Sequence, residues 1–341
     1  MIDIIIPYYN SELYLARTIE SILQNEYVDW HLYLVDDGSL DSSFEIANTF
    51  SNKDSRIKSL KRPSNFKPGG RGAKNYGFIK SNQPYIVFFD SDDFMLPEFL
   101  ERRFNLISNN ADIDCVFSDF GWKVESDLKL NKVFTYPSHV TYKENTEELW
   151  YSYINLKIFW TPSNMLWRRS KLEEKQLTWD SRLTTGEDYL FHGQALIRGL
   201  KFGYLNSVDW YYMRNPNSMM AQFESKTSIM SRHLSYKLLF DEIKIIDQIL
   251  SKNIKPYFFN AQIKLLRRLI LEIKGQRANR FKMALEIMNH LREIEQLEMN
   301  IRSKIYVIIV ITLISKKGFS LFDKLLLPCK QKTKTYDSFI Y

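Results

Sequence analysis

Two carboxylates stand two residues apart where an apolar run ends. Asp90 and Asp92 follow the segment Tyr85 to Phe89, which is typical of a buried strand. Mg²⁺ and Mn²⁺ favour one or two carboxylates together with phosphate oxygens. The pattern therefore predicts a divalent-ion site that accepts a diphosphate. The alternative is a solvated acidic turn, or Asp92 or Asp93 acting as the cap of the next helix.

Three further segments add groups that suit a nucleotide. Asp36-Asp37-Gly38-Ser39 follows a second apolar run and offers acceptors for a base or a ribose, or else it is a strand-ending turn. Tyr9 can stack on a base, although an aromatic residue at a strand end often only packs. The loop from Gly69 to Asn75 combines glycines, a helix start and the cations Arg71 and Lys74, which suits a diphosphate.

A last acidic pair precedes a helical stretch. Glu187 and Asp188 follow Gly186, and a carboxylate at this position can take the proton from an attacking hydroxyl. The alternative is that the pair caps the helix and complements its dipole. His192 lies one turn after Asp188, as a packed histidine or as a ligand or acid/base partner.

The elements that carry these groups alternate between strand and helix. Apolar runs at residues 3–7, 30–35, 56–60 and 85–89 predict four strands, and helical patterns begin near residues 15, 42, 73 and 97. Such a series predicts a parallel sheet with helices on both faces. Because ligands bind at the carboxyl ends of such strands, the segments above should converge at one edge.

Composition predicts a large packed domain with a basic appendage. The chain has 341 residues, of which 45% are apolar, and a net charge of +7. Residues 221–341 hold 22 Lys and Arg against 11 Asp and Glu. The two cysteines, Cys115 and Cys329, have neither disulfide nor zinc spacing. The chain begins almost directly with a strand and no charged leader, so we expect a cytoplasmic protein. No nucleic-acid motif accompanies the basic half.

The last 120 residues are predicted to be helical from about residue 222. Residues 305–314 are continuously apolar, yet ten residues are about half of what a helix needs to span a bilayer. They form either a buried element or a segment in the membrane interface, since lysines flank them. The second interpretation would bring the chain to the inner face of the cell membrane.

Taken together, the motifs resemble those of the inverting family 2 glycosyltransferases. The matching segments follow the family's order: residues 4–10, 34–41, 69–77, 90–93 with Pro97, and 186–188. The resemblance implies an α/β fold of the GT-A type, with a mostly parallel sheet flanked by helices and a C-terminal helical extension. It implies a catalytic domain over residues 1–220, with a donor half at 1–115 and an acceptor half at 116–220, and a basic helical region at 221–341.

The resemblance also assigns roles on the donor side. It implies that Tyr9 and Asp37 hold the nucleobase, that Pro7 shapes the pocket, and that Asp90 contacts the ribose or metal. Asp92 ligates Mn²⁺ or Mg²⁺. The remaining donor contacts are Ser91, Arg71, Lys74, Asn75 and Arg214.

On the acceptor side the resemblance makes Asp188 the general base, with Glu187 positioning the acceptor. Trp160 and Asn164, in a segment similar to the family's acceptor-side segment, are implied to contact the acceptor. Lys74 stands where the family often has arginine, and Arg71 where a small or apolar residue is common. Both differences keep or add positive charge.

The predicted reaction is the transfer of a hexosyl or N-acetylhexosaminyl group from a nucleotide sugar, most simply a UDP-sugar, to a hydroxyl of a glycan or lipid-linked acceptor. Two alternatives belong to other functional classes. One is an idle nucleotide-sugar-binding protein. The other is a haloacid-dehalogenase-like phosphohydrolase with Asp90 as nucleophile, although Phe94 stands where that site expects Thr or Val.

Overall fold

A computed structural model describes residues 1–124, 130–134, 147–214, 226–258 and 261 of the chain. The first part alternates strands and helices. In chain order these are β1 (Ile2–Tyr8), α1 (Leu15–Leu23), β2 (Trp30–Asp36), α2 (Ser43–Lys53), β3 (Ile57–Lys61), α3 (Gly70–Lys80), β4 (Tyr85–Phe88), β5 (Phe94–Met95) and α4 (Phe99–Ser108). The four strands and four helices predicted from the apolar runs are therefore confirmed.

The strands β1 to β4 form the parallel part of a sheet. Their order is β3-β2-β1-β4, and all three neighbouring pairs are parallel. Every residue of β1 is buried, as expected for a strand that is covered on both faces. In the register, Tyr8 at the end of β1 lies opposite Asp36 at the end of β2. The loops after β1, β2 and β4 thus leave the sheet at the same edge.

The sheet continues with strands of mixed direction. The elements are β6 (Cys115–Val124), β7 (Leu130–Phe134), α5 (Glu147–Ile154), a 3-10 turn (Pro162–Asn164), β8 (Leu166–Arg168), α6 (Arg169–Glu174), α7 (Glu187–Ile197) and β9 (Phe202–Arg214). β8 pairs antiparallel with β4 and β6, whereas β6 pairs parallel with β9. The predicted mixed α/β fold with a mostly parallel sheet is therefore confirmed: β1 to β4 pair only in parallel with one another, and the later strands add both parallel and antiparallel pairs.

The start of α2 is stabilised by the residue before its cap position. Ser42 and Glu45 have the spacing of a capping box, yet Ser42 at the cap position of α2 makes no side-chain cap hydrogen bond. Asp41 takes this role, because its Oδ1 accepts hydrogen bonds from the Ser43 backbone N–H at 3.0 Å and from the Ser43 hydroxyl at 2.6 Å. A carboxylate one residue earlier thus satisfies the helix start.

The described residues group into two compact units: those within 1–134 and 159–214 form the first, and those within 147–158 and 226–261 form the second. In the second unit, α8 (Lys226–Ile246) and a helix over residues 248–258 show that the predicted helical extension is helical over its described part. Leu239 and Ile243 are fully buried on α8. The apolar run at 305–314 lies outside the described residues. Within the described part of the chain, no helix is both long and apolar enough to cross a bilayer.

Candidate active site

The loop after β4 carries three aspartates with different surroundings. Asp93 is buried, and its Oδ2 accepts a hydrogen bond from the Ser163 hydroxyl at 2.5 Å. Its Oδ1 accepts from the Met213 N–H at 3.1 Å. Burial, and then the charges of Asp92 and Asp90, raise the pKa of Asp93 well above its usual value. Asp93 therefore fastens the loop to the acceptor half. The cap of α4 is Glu98, so the helix-capping alternative for Asp92 or Asp93 is wrong.

Of the three aspartates in this loop, Asp90 and Asp92 remain open to the solvent. Both are partly exposed, whereas Asp93 points into the protein. Across the described residues, no group of three or more His, Cys, Asp or Glu side chains is arranged to hold a metal ion. Two carboxylates that leave the other positions to phosphate oxygens and water are the donor set that Mg²⁺ and Mn²⁺ favour. The residues present therefore fit a divalent ion that binds together with a diphosphate.

Lys74 pairs with the first aspartate of this loop. Its ammonium nitrogen is 3.4 Å from Asp90 Oδ1 and 4.4 Å from the ring centroid of Trp179. The lysine side chain is only 4% exposed. A buried ammonium requires nearby negative charge, which Asp90 provides, and the aromatic face adds a cation–π contact. The structure thus places Lys74 against Asp90, and not at an open phosphate position.

The start of α3 contributes the second cation. Gly69 precedes the helix at φ +107°, and a Cβ built there would lie 2.6 Å from Arg71 Nη1. The guanidinium therefore lies over Gly69, and the positive φ at this position favours glycine. Arg71 Nε is buried and has no hydrogen-bond partner in the described part of the chain. Further along α3, Asn75 exchanges hydrogen bonds with the backbone of Trp179, at 2.8 Å and 3.0 Å.

Asp37 organises this loop from the end of β2. Its Oδ2 accepts the Gly69 N–H at 2.6 Å, and its Oδ1 accepts from Arg62 Nε. Arg62 also donates to the carbonyl oxygens of Phe66 and Pro63. Asp37 therefore stabilises the chain between β3 and α3, in addition to the base contact predicted for it. Nothing in the local sequence pattern had singled out Arg62.

The loops after β1 and β2 fasten each other. Asn10 N–H donates to Ser39 Oγ, and Leu40 N–H donates back to Asn10 Oδ1. Glu12 takes part in the same way, donating from its N–H to Asp41 Oδ2 and accepting from Ser42 N–H at its Oε2. These four bonds, all between 2.9 and 3.1 Å, form what we call the loop clasp.

Tyr9 and Pro7, which were predicted to form the nucleobase pocket, lie next to the loop clasp in the chain. Tyr9 is 53% exposed, so its ring is open to a stacking partner. Pro7 is buried in β1, and its ring lies 4.0 Å from where a Cβ on Gly70 would be. Ser91, predicted on the donor side, pairs its hydroxyl with Ser11 Oγ at 3.0 Å.

The acidic pair Glu187 and Asp188 opens α7. Gly186 caps the helix in the left-handed region at φ +75°, and Glu187 is buried. Asp188 Oδ1 accepts the Tyr189 N–H at 2.8 Å. Burial, followed by the charge of Glu187, raises the pKa of Asp188 to about 7, and burial also raises the pKa of Glu187. A carboxylate with a pKa near neutrality is poised to exchange a proton, even though it also complements the helix dipole.

His192 is completely buried one turn further along α7. Its ring stacks on Trp167 at a centroid distance of 5.8 Å, and Trp160 and Trp179 approach it edge-on. Burial lowers the pKa of His192 to about 3, and the charge of Lys74 adds to this effect. The side chain is therefore neutral and packed, and the packed alternative for this histidine is confirmed.

Two residues predicted on the acceptor side are buried in this structure. Trp160 is 3% exposed and stacks on Phe202 at 4.7 Å. Asn164 is fully buried, and its Oδ1 accepts from Trp210 Nε1 and from the Ser118 N–H, both at 3.1 Å. Neither side chain presents a surface to an acceptor, so their placement does not support that role. Arg214 ends β9, and its side chain lies outside the described residues.

Comparison with known proteins decides the family. The family model described as Glycosyl transferase family 2 matches residues 3–174, half of the chain. The chain belongs to this family. The match begins in β1 and ends in α6. It therefore includes the loop clasp, the start of α3 and the loop of residues 90–93 after β4, which we call the acidic loop. The interpretation as a haloacid-dehalogenase-like phosphohydrolase accordingly has no support.

Curated relatives of this family 2 chain cover it in part. An uncharacterised glycosyltransferase from Haemophilus influenzae is 43% identical over 110 residues, which are 32% of this chain and 43% of that protein. The Escherichia coli UDP-Glc:alpha-D-GlcNAc-diphosphoundecaprenol beta-1,3-glucosyltransferase WfaP is 27% identical over 221 residues, 65% of this chain and 80% of WfaP. The chain thus spans less than half of the Haemophilus relative.

A solved structure shows the same fold over most of the chain. The crystal structure of S. aureus TarS 1–349 in complex with UDP-GlcNAc superposes with a TM-score of 0.67 and 18% identity. The superposition covers 95% of this chain and 90% of that one. The predicted GT-A fold of a family 2 glycosyltransferase is therefore confirmed.

Proposed function

We propose that this family 2 glycosyltransferase moves a hexosyl or N-acetylhexosaminyl group from a UDP-sugar to a hydroxyl of a polysaccharide or lipid-linked glycan. The observation that carries the proposal is the convergence of Asp90, Glu187 and Asp188 on the buried Lys74, with Asp92 in the same loop as Asp90. UDP is favoured because WfaP is named for a UDP-Glc donor and TarS was solved with UDP-GlcNAc.

In the proposed reaction, Asp188 removes the proton from the acceptor hydroxyl as the oxygen attacks the anomeric carbon. A new C–O bond forms on one face of the sugar, and the bond to the diphosphate oxygen breaks on the other, so the configuration inverts. With a pKa of about 7, Asp188 is ionised in a useful fraction of molecules and still basic enough to accept the proton. Glu187 positions the acceptor.

The donor is held by residues at the edge of the sheet. Tyr9 stacks on the base, Asp37 accepts its N–H, and Pro7 shapes the wall beside them. Arg71, whose buried Nε has no hydrogen-bond partner among the described residues, and the positive end of the α3 dipole attract the diphosphate. Arg214, Asn75 and Ser91 complete the proposed donor contacts.

Asp90 and Asp92 would hold Mn²⁺ or Mg²⁺. When bound, such an ion neutralises the charge that develops on the departing diphosphate. Lys74, paired with Asp90 at 3.4 Å, offsets part of the negative charge of the carboxylates, so that an anionic donor is not repelled.

We further propose that the protein works at the inner face of the cell membrane, in the synthesis of a surface polysaccharide. The basic balance of residues 221–341 suits anionic lipid, and WfaP is named for a lipid-linked acceptor. A nucleic-acid partner is not part of the proposal.

The decisive experiment is a calorimetric titration with UDP, GDP and dTDP, each with Mn²⁺ and with EDTA. We expect one nucleotide, UDP, to bind in a metal-dependent way, and Asp92→Ala to lose that dependence. Asp112→Ala is the matched control, because Asp112 is 94% exposed and far along the chain. If no nucleotide binds, the strand-end carboxylates are not a donor site.

A transfer assay separates this function from that of an idle binding protein. Radiolabelled UDP-glucose and UDP-GlcNAc would be offered with extracted membrane glycolipids and with water as acceptors. We expect label in a glycan or lipid fraction with the parent protein, and not with Asp188→Asn. Binding of UDP-sugar with no transfer to any acceptor would favour the idle binding protein.

A further inference from the structure

The buried face of α1 carries a row of polar side chains. Thr18, Ser21 and Asn25, which lies just past the end of the helix, are spaced by three and four residues and so lie on one side. They are 0%, 1% and 6% exposed. A buried hydroxyl or amide costs about 1–3 kcal/mol unless it is hydrogen-bonded. Such a row needs partners, and we call it the α1 polar row.

The α1 polar row bonds to the backbone that follows β4, in matching order. Thr18 Oγ1 lies 2.9 Å from the carbonyl oxygens of both Ser91 and Asp93. Further along, Ser21 Oγ accepts the Met95 N–H, and Asn25 Oδ1 accepts the Leu100 N–H, both at 3.1 Å. Each polar group of the row therefore fixes a successive part of residues 91–100.

Thr18 bonds to the backbone on both sides of Asp92. The carbonyls of Ser91 and Asp93 flank this residue on both sides along the chain, and the single hydroxyl hydrogen of Thr18 is shared between them. Arg17 Nη2 also donates to the carbonyl of Asp92 itself, at 2.8 Å. An aspartate side chain has only two rotatable bonds, so the backbone at Asp92 largely sets the direction of its carboxylate.

We propose that Thr18 is a positioning residue for the Asp92 carboxylate, which it aims at the bound divalent ion through the backbone of residues 91–93. This inference rests on the proposed function. Thr18 does not touch the donor. It acts by removing alternative conformations of the loop, so that the metal and the diphosphate meet a carboxylate that is already in place.

The test compares Thr18→Val with Thr18→Ser. Valine keeps the shape and removes the hydroxyl, whereas serine restores the hydroxyl in a smaller side chain. UDP affinity is measured by calorimetry at saturating Mn²⁺ and in EDTA. We expect Thr18→Val to weaken binding about 5- to 20-fold with Mn²⁺ and by less than about 2-fold in EDTA, the loss of one shared hydrogen bond in a buried site. Thr18→Ser should recover most of the affinity.

Two more variants separate positioning from general stability. Thr49→Val removes a helix threonine hydroxyl that bonds only to the Glu45 carbonyl on an exposed face, and should leave both affinities unchanged. Ser21→Ala, which releases the Met95 N–H, should weaken the Mn²⁺-dependent binding less than Thr18→Val does. It also serves as the test if the valine variant does not fold.

Hydrogen exchange reports on the loop without metal. In EDTA, amides of residues 91–95 should exchange faster in Thr18→Val than in the parent, while amides in β1 and β2 stay unchanged. If Thr18→Val keeps the parental Mn²⁺ dependence, the positioning role is wrong although the proposed function stands. If the parent protein itself binds UDP without regard to Mn²⁺, the metal site and the role of Thr18 fail together.

Discussion

Replacing Asp188 by asparagine should remove transfer activity. It should also make the protein more stable than the parent, by a difference that grows as the pH rises. The parental carboxyl group has a pKa raised from 3.8 to about 7 by burial and by the charge of Glu187. Asparagine has nearly the same shape and keeps an oxygen that can accept the Tyr189 N–H. The substitution therefore removes the charge and leaves the packing almost intact.

The sign follows from proton binding. Between about pH 4 and pH 7 the folded protein holds a proton on this carboxyl group that the unfolded chain has released. The contribution of Asp188 to the free energy of unfolding therefore falls as the pH rises through this window. Above pH 7 the group is charged in both states and destabilises the folded one. The asparagine variant lacks this penalty, so its advantage should grow from pH 4 to pH 7 and then level off.

The magnitude follows from the shift of roughly three pKa units. At about 1.4 kcal/mol per unit, the upper limit is about 4 kcal/mol. Asp188 is partly exposed, and water at the carboxylate reduces the penalty, so we expect about 1–3 kcal/mol at pH 8. Part of this difference belongs to Glu187, because neighbouring carboxyl groups titrate as a pair.

The assay is urea unfolding followed by tryptophan fluorescence, at several pH values between 4.5 and 8.5 and in EDTA. Asp112→Asn, at an exposed position, provides the baseline and should show no pH-dependent difference from the parent. Transfer by Asp188→Asn should fall at least about 100-fold, the usual contribution of a general base. A stability difference that stays flat across this range would refute the raised pKa, and parental transfer by the variant would refute the base.

Three other predictions are open to direct measurement. The transfer rate of the parent at saturating donor should fall tenfold per pH unit below about pH 7, because the base becomes protonated; a flat profile down to pH 5 would contradict the assignment. Gly186→Ala should cost about 1 kcal/mol of unfolding free energy, since φ is +75° there, and should lower transfer by displacing the start of α7; unchanged urea unfolding would exclude backbone strain. Removing residues 301–341 should weaken sedimentation with anionic liposomes, and equal partitioning of both forms would argue against membrane contact.

The donor half could be predicted from the sequence because its information is local. Apolar runs such as residues 85–89 are followed by residues that favour a turn. The parallel order of β1, β2 and β4 then brings the ends of these strands together. The acidic loop and the start of α3 were located in this way.

The acceptor half could not be predicted to the same depth, because its contacts join distant parts of the chain. Asn164 bonds to Ser118 and Trp210, each 46 residues away, and no local pattern indicates this. A tryptophan such as Trp160 is a residue type that suits a sugar-binding surface. Residue type alone, however, does not distinguish that role from burial in the core. The same holds for Ser163 and Trp179, whose support of Asp93 and Lys74 no sequence pattern indicated.

The loop clasp has a consequence for how this site can change over evolutionary time or by design. Asn10 and Glu12 each give one bond to the other loop and receive one from it, and every bond joins a backbone N–H to a side-chain oxygen. A substitution of any of the four accepting side chains therefore removes one bond and leaves an N–H of the opposite loop without that acceptor. Changes in the two loops should therefore covary. A graft intended to alter nucleotide preference should carry residues 9–14 and 37–43 together, as one cassette, since either loop alone would arrive without its counterpart.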